Sequence, residues 1–254
     1  MKILPPILQP PNLPIRHRHT PPPIGGAGRF GYQAFRRCIR WDFGFTCPFC
    51  LLHESDFVGG GGAERTGITS IEHQIPVSKD ASLTNRYSNC LYACRFCNRA
   101  RSNTPVTQAG RTLLNPSEVS WSTYFRITND VIVLRTYDQN AEFTLATYDL
   151  QDPTKTERRR LRRELISDRL ALLEQGPTDE ATLLQTASEC LIANPHRAQT
   201  LLAIANRLRH QMRLARQDLS RFVGVPVDAP TACRRNTVKN HAIPEVLDRQ
   251  LIDI

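Results

Sequence analysis

Residues 67–80 read "GITSIEHQIPVSKD". The β-branched residues between Gly67 and Ile75 suggest a strand, and Pro76 ends its pairing. Near the end of that strand a carboxylate and an imidazole stand side by side, Glu72 and His73. Adjacent side chains on a strand point to opposite faces, so a bend or bulge is expected where both are to reach one pocket. A carboxylate oxygen is a hard ligand suited to a magnesium-like cation. An imidazole, with an ordinary pKa of about 6.5, can take a proton from water at neutral pH.

Two C-x-x-C pairs flank this stretch, "CPFC" (Cys47, Cys50) and "CRFC" (Cys94, Cys97), with 43 residues between them. Their four thiolates suit a tetrahedral zinc with bonds of about 2.3 Å. A redox role fits worse, because neither pair opens a helix within a thioredoxin-like βαβ pattern. A four-sulfur site has no open position, so the zinc is expected to be structural and to close the ends of the segment that carries Glu72, His73 and Asn89. Asn98 directly follows the last thiolate and offers a second hard oxygen. One cation and one base are enough to hydrolyse a phosphodiester: the cation stabilises charge on the phosphate and leaving oxygen, and the base generates the nucleophile. Cys38, Cys90, Cys190 and Cys233 read as small buried hydrophobes, and His53, close behind Cys50, as a bystander.

"CPFC", "EHQIPVS", "NCLYACRFCN" and the trailing "RAR" together resemble the HNH endonuclease family, over about a fifth of the chain, Cys47 to Arg101. The resemblance implies a ββα-metal nuclease module with a four-cysteine zinc. It makes His73 the general base, Glu72 and Asn98 the ligands of a catalytic Mg2+ or Mn2+, and Asn89 the residue holding the loop that orients His73. Two positions depart from the family pattern: Glu72 stands where Asp is more usual, and Cys90 separates Asn89 from Leu91.

The formal net charge of +9 and a pI near 9.4 favour a polyanionic partner, here DNA, although a general preference for arginine over lysine gives the same sum. Arg95, Arg99 and Arg101 lie on or beside a helix expected after the second cysteine pair, where they either clamp phosphates or form an ordinary solvated face. Arg158 to Arg160 with Arg162 and Arg163 form a second basic patch that would lengthen a backbone footprint. No base-reading element is evident. No apolar run suits a membrane span or a signal peptide, and the chain is read as cytoplasmic with no membrane partner.

The expected class is α+β, in four parts. Residues 1–28 form a proline-rich, flexible or extended arm; 29–115 the nuclease module; 116–150 a β extension; and 151–254 a mainly helical region. In the module, Tyr32, Phe35 and Ile39 share a helical face, and the glycines of 59–67 read as a hairpin tip. "GAGRFG" at 26–31 lacks the βαβ setting of a dinucleotide site. Two or three strands are expected over 121–148, with turns at Asn129-Asp130 and at Asp138-Gln139-Asn140. A helix from about Lys155 carries an apolar stripe from Leu161 to Leu173 and is expected to stop at Gly176. A second helix starts after Pro177, and a third spans about Pro195 to Phe222, ahead of an irregular end. Three functions fit: a metal-dependent nuclease, a zinc-stabilised module that binds nucleic acid without cutting it, and a nuclease effector directed by its C-terminal region through a protein partner or self-association.

Overall fold

A computed structural model of the chain describes residues 10–15, 31–57 and 69–223. The glycine run, the basic residues 16–19, Cys233 and the irregular C-terminal stretch lie outside them. The described chain is α+β. A 3-10 turn at Gly31–Phe35 runs into α1 (Arg36–Asp42); Phe35 and Ile39 sink into the core with Tyr32 packed beside them. In the "CPFC" knuckle, Leu51 takes φ 61°, so that Cys47 N donates to Leu52 O and Leu51 N to Cys47 O, each at 2.9 Å. β1 (Thr69–His73) pairs antiparallel with β2 (Cys90–Cys94). α2 (Arg95–Arg101) follows at once and packs on both strands. β2 reads "CLYAC" and is buried along its whole length, because α1 and α2 both lie against it.

β3 (Thr107–Gln108) and β4 (Arg111–Thr112) make a small hairpin, and α3 (Trp121–Tyr124) leads into β5 (Phe125–Thr128), paired with β6 (Val131–Leu134). Asn129 and Asp130 both take positive φ, the conformation a tight two-residue hairpin turn requires. The stretch after Asp138 is not a strand. It is α4 (Gln139–Thr147), capped by Asp138, whose Oδ1 accepts from Ala141 N at 2.8 Å. An Asp that starts a turn and an Asp that caps a helix are the same local signal, and burial of Ala141, Phe143 and Thr144 decides for the helix.

One hydrophobic cluster runs from Phe35 to Leu150 and crosses the expected boundary at 115. Phe49, inside the knuckle, stacks on Tyr148 at 3.9 Å and meets the Trp121 ring edge-on at 6.1 Å. Part of the supposed arm is docked as well: Ile15 N donates to Pro116 O at 2.9 Å and Ser120 Oγ to Asn12 O at 2.7 Å.

α5 (Pro153–Cys190) and α6 (Pro195–Val223) form a long helical hairpin. α5 passes through Gly176 and Pro177 without stopping. A Cβ at 176 would lie 2.6 Å from Met212 Sδ, so Gly176 is the notch that lets α6 approach, and the seam overrides the local stop signal. Along α6 the buried residues Ala198, Ala205, Met212 and Leu219 recur every seven positions, with Leu201, Leu208 and Ala215 between them, which is the pattern of a coiled-coil seam. Arg169 pairs with Asp218 at 3.1 Å and Glu180 with Arg209, which sets the two helices antiparallel and in register. Among the described residues no helix is long and apolar enough to cross a membrane.

Candidate functional site

Cys47, Cys50, Cys94 and Cys97 are all buried, and their sulfurs lie within 4.8 Å of one another. Cys50 Sγ and Cys94 Sγ are 3.6 Å apart, close to the edge of about 3.8 Å that a tetrahedron with bonds of about 2.3 Å implies. Cys97 N donates to Cys94 Sγ at 3.4 Å, which fixes that sulfur as the cap of α2. Burial pushes the Cys97 thiol well above its ordinary range and its sulfur neighbours push it further, the strain that a central cation relieves. The donor set therefore fits a structural zinc. His53 lies outside it, buried, in a bridge with Thr46.

Much of the expected basic patch at 158–163 is turned inward, and the rest is paired within the chain. Arg159 is buried and donates to Asp130 O at 2.6 Å and to Cys50 O at 3.1 Å. Arg162 donates to Leu51 O at 2.6 Å and pairs with Asp56 at 3.0 Å. Arg158 caps Asp56 O, Arg163 grips Asp130, and Arg160 bridges Glu157 and Glu164. Arg159 and Arg162, in the first turns of α5, thus cap the carbonyls of the knuckle. Lys155 serves α4 in the same way, donating to Tyr148 O at 2.8 Å and Asp149 O at 2.7 Å.

The β1–β2 ladder keeps regular register to its last pair, His73 opposite Cys90, so no bulge inside it turns Glu72 and His73 to one side. Glu72 is buried against α2, where its Oε1 meets Arg101 Nη1. Arg101, expected among the phosphate contacts, is a buried structural cation with 0% of its surface exposed. Besides Glu72 it holds His73 O and, at 2.5 Å, Gln74 O. Burial pushes the Glu72 carboxyl up to about 7 against the pull of Arg101. Glu72 Oε2 has no hydrogen bond among the described residues.

His73 is half-buried, with its ring edge-on to Tyr32 at 4.7 Å. Its Nε2 lies 3.0 Å from the Thr84 carbonyl. A carbonyl only accepts, so Nε2 carries the proton and Nδ1 is left with a free lone pair. Burial lowers the His73 pKa, with the charge of Arg101 adding to it and the Thr84 bond opposing it. Asn89 staples the connecting loop: Oδ1 accepts from Ile75 N at 2.8 Å, and Nδ2 donates to Ile75 O at 3.0 Å and Leu83 O at 3.3 Å. Asn98 sits half-buried on α2, one turn before Arg101, and its side chain has no hydrogen bond among the described residues. Arg95 and Arg99 are exposed on the same helix, Arg95 with its guanidinium 5.1 Å from the Phe96 ring centre.

The Thr84 and Tyr32 contacts with His73, and the contacts of Arg159 and Arg162 with the knuckle, are what the sequence did not reveal. Thr84 acts through a backbone carbonyl and leaves no side-chain signal, while Arg159 and Arg162 have the three-residue spacing of one helix face. No family model, no curated protein and no solved structure matches the chain.

Proposed function

We propose that the chain is a metal-dependent endonuclease of the HNH type that hydrolyses phosphodiester bonds in DNA. The observation that carries this reading is the His73–Thr84 hydrogen bond, which leaves Nδ1 as a proton acceptor in a strand–strand–helix frame anchored by four cysteines. On this reading His73 deprotonates the attacking water. Glu72, through the oxygen that Arg101 does not use, and Asn98 would hold a Mg2+ or Mn2+ ion, which supplies charge stabilisation at the phosphate. On the same reading Asn89, bonded to Ile75 and Leu83, would hold the loop that orients His73, and Arg95 and Arg99, exposed on α2, would meet the phosphate backbone. The test is conversion of supercoiled plasmid to open circle with added Mg2+ or Mn2+. His73→Ala is expected to lose at least about 10²-fold in rate, the usual worth of a general base.

The Glu72–Arg101 ion pair also supports a second reading, a zinc-stabilised module that binds nucleic acid without cutting it. That reading predicts salt-sensitive binding and no metal-dependent product from the wild type.

A further inference from the structure

The turn Gly31–Phe35 and α1 lie against the loop that joins β1 to β2, the loop that also carries Thr84. Gly31 has φ 43°, and a Cβ there would stand 3.2 Å from Asn85 Oδ1, so a glycine lets the turn close on the residue that follows Thr84. Phe35 meets Tyr87 edge-on at 5.2 Å, and Tyr87 Oη donates to Asp42 Oδ2 at 2.6 Å. Arg36 ties the same helix to the start of β1, donating to Thr69 O and, at 3.0 Å, to Thr69 Oγ1. Tyr32 sits among these anchors, and its ring lies 4.7 Å from that of His73 at an interplanar angle of 77°. The Tyr32 ring is half-buried, and its hydroxyl makes no hydrogen bond among the described residues.

The imidazole is thus met by two segments that are fixed to each other. The hydrogen bond to the Thr84 carbonyl holds one ring atom, Nε2, and a single such bond leaves the ring plane free to swing about it. An edge-to-face contact sets the angle between two ring planes. We propose that Tyr32 is a positioning residue for His73: its ring holds the imidazole plane, and so the aim of Nδ1, while the Thr84 carbonyl holds the tautomer. The inference deepens the nuclease reading and rests on it for the step that Nδ1 serves. Its geometric part is independent, because the ring contact and the hydrogen bond are there whatever proton Nδ1 takes. The ring carries the role and the hydroxyl does not, so phenylalanine should serve at this position and an aliphatic side chain should not.

Tyr32→Leu, Tyr32→Ala and Tyr32→Phe are compared with the wild type in the full chain, all well below the lowest thermal midpoint of the set so that every variant is folded. Two quantities are read: the rate of plasmid nicking by excess enzyme at saturating Mg2+, which reports chemistry rather than product release, and nitrogen–proton correlation spectra of the histidine side chains, with His73→Gln identifying the His73 signals. Tyr32→Leu and Tyr32→Ala are expected to slow nicking about three- to tenfold, the population shift that loss of one edge-to-face ring pair corresponds to. The enzyme concentration giving half-maximal rate should stay within about twofold of the wild type. A ring that swings breaks the Thr84 bond part of the time, so the His73 signals in these two variants should move from one tautomer, protonated at Nε2, toward the average of two. Tyr32→Phe should match the wild type in both readings. A loss of rate that Tyr32→Phe shares overturns the proposal, since it gives the role to the hydroxyl. So does a change confined to the half-maximal concentration, which puts Tyr32 on the substrate. A wild type that never nicks plasmid defeats the nuclease reading; a tautomer average in Tyr32→Leu but not in Tyr32→Phe then still supports the positioning, and unchanged signals overturn it. A wild type that nicks, with Tyr32→Leu and Tyr32→Ala equally fast, defeats the positioning alone.

Discussion

One guanidinium closes the end of β1 from the helix side: Arg101 meets the Glu72 carboxylate and the carbonyls of His73 and Gln74, all with its own surface fully covered. Arg101→Met strands a buried carboxylate, so urea unfolding should show a loss of about 3–5 kcal/mol. Adding Glu72→Gln should recover a large part of it; simple additivity would mean the two groups are uncoupled. The same guanidinium and the burial of the ring hold His73 below its ordinary pKa of 6.5. A general base works when deprotonated, so on the nuclease reading the rate should rise with pH through a midpoint below 6.5 and stay level above it. Glu72, pushed up to about 7, must also be ionised to hold the ion, so the profile is taken at saturating Mg2+; a rate still climbing above neutrality there would remove His73 from that role. The cysteine pairs, Glu72, His73, Asn89 and Asn98 were legible as a set because each has a distinctive residue type at a fixed spacing. Arg101 was misread because spacing after a cysteine pair does not say which face of α2 turns toward the buried carboxylate.

At the scale of elements, the four-cysteine knuckle and α5 hold each other. Arg159 and Arg162 reach the carbonyls of Cys50 and Leu51, which belong to the turn that presents two of the four sulfurs. If the four sulfurs hold zinc, a strong thiophilic chelator should therefore lower amide protection over 155–166 of α5 as well as over 47–52. Protection over 198–212, in the seam with the distal part of α5, should change little. Equal loss in both parts of the hairpin would show that the knuckle does not anchor α5 selectively. The start of α5 defeats apolar periodicity because its buried residues there are Lys155, Arg159 and Arg162, followed by Ile166, while Leu161 stands exposed. Gly176 misleads for a related reason, since its role lies in what α6 places against it. Gly176→Ile should cost about 1–3 kcal/mol through overpacking against Met212, and Met212→Ala should relieve most of it.

The molecule as a whole meets at one buried junction, where α1, the knuckle and α5 enclose His53 and Asp56. Arg40 of α1 and Arg162 of α5 are the charged groups acting on His53. Burial, reinforced by both arginines, pushes its pKa from 6.5 down to about 3. The unfolded chain then binds a proton that the folded chain refuses. His53 therefore leaves stability untouched above pH 6.5 and removes it as pH falls from there toward about 3, by about 1.4 kcal/mol per pH unit. Asp56 acts oppositely. Burial raises it from 3.8 to about 6 despite Arg162, so the folded chain holds a proton that the unfolded chain releases, and stability is lost as pH rises through that window. Between about pH 4 and 6 the two contributions nearly cancel in the wild type. His53→Gln removes one side of the balance. Protonation of the thiolates affects wild type and variant alike, so it drops out of their difference. Urea unfolding at pH 7, 6 and 5 should show the variant gaining on the wild type by about 1.4 kcal/mol for each unit below 6.5. A constant difference across that range would mean that His53 takes up its proton in the folded protein, and that the junction is open to water.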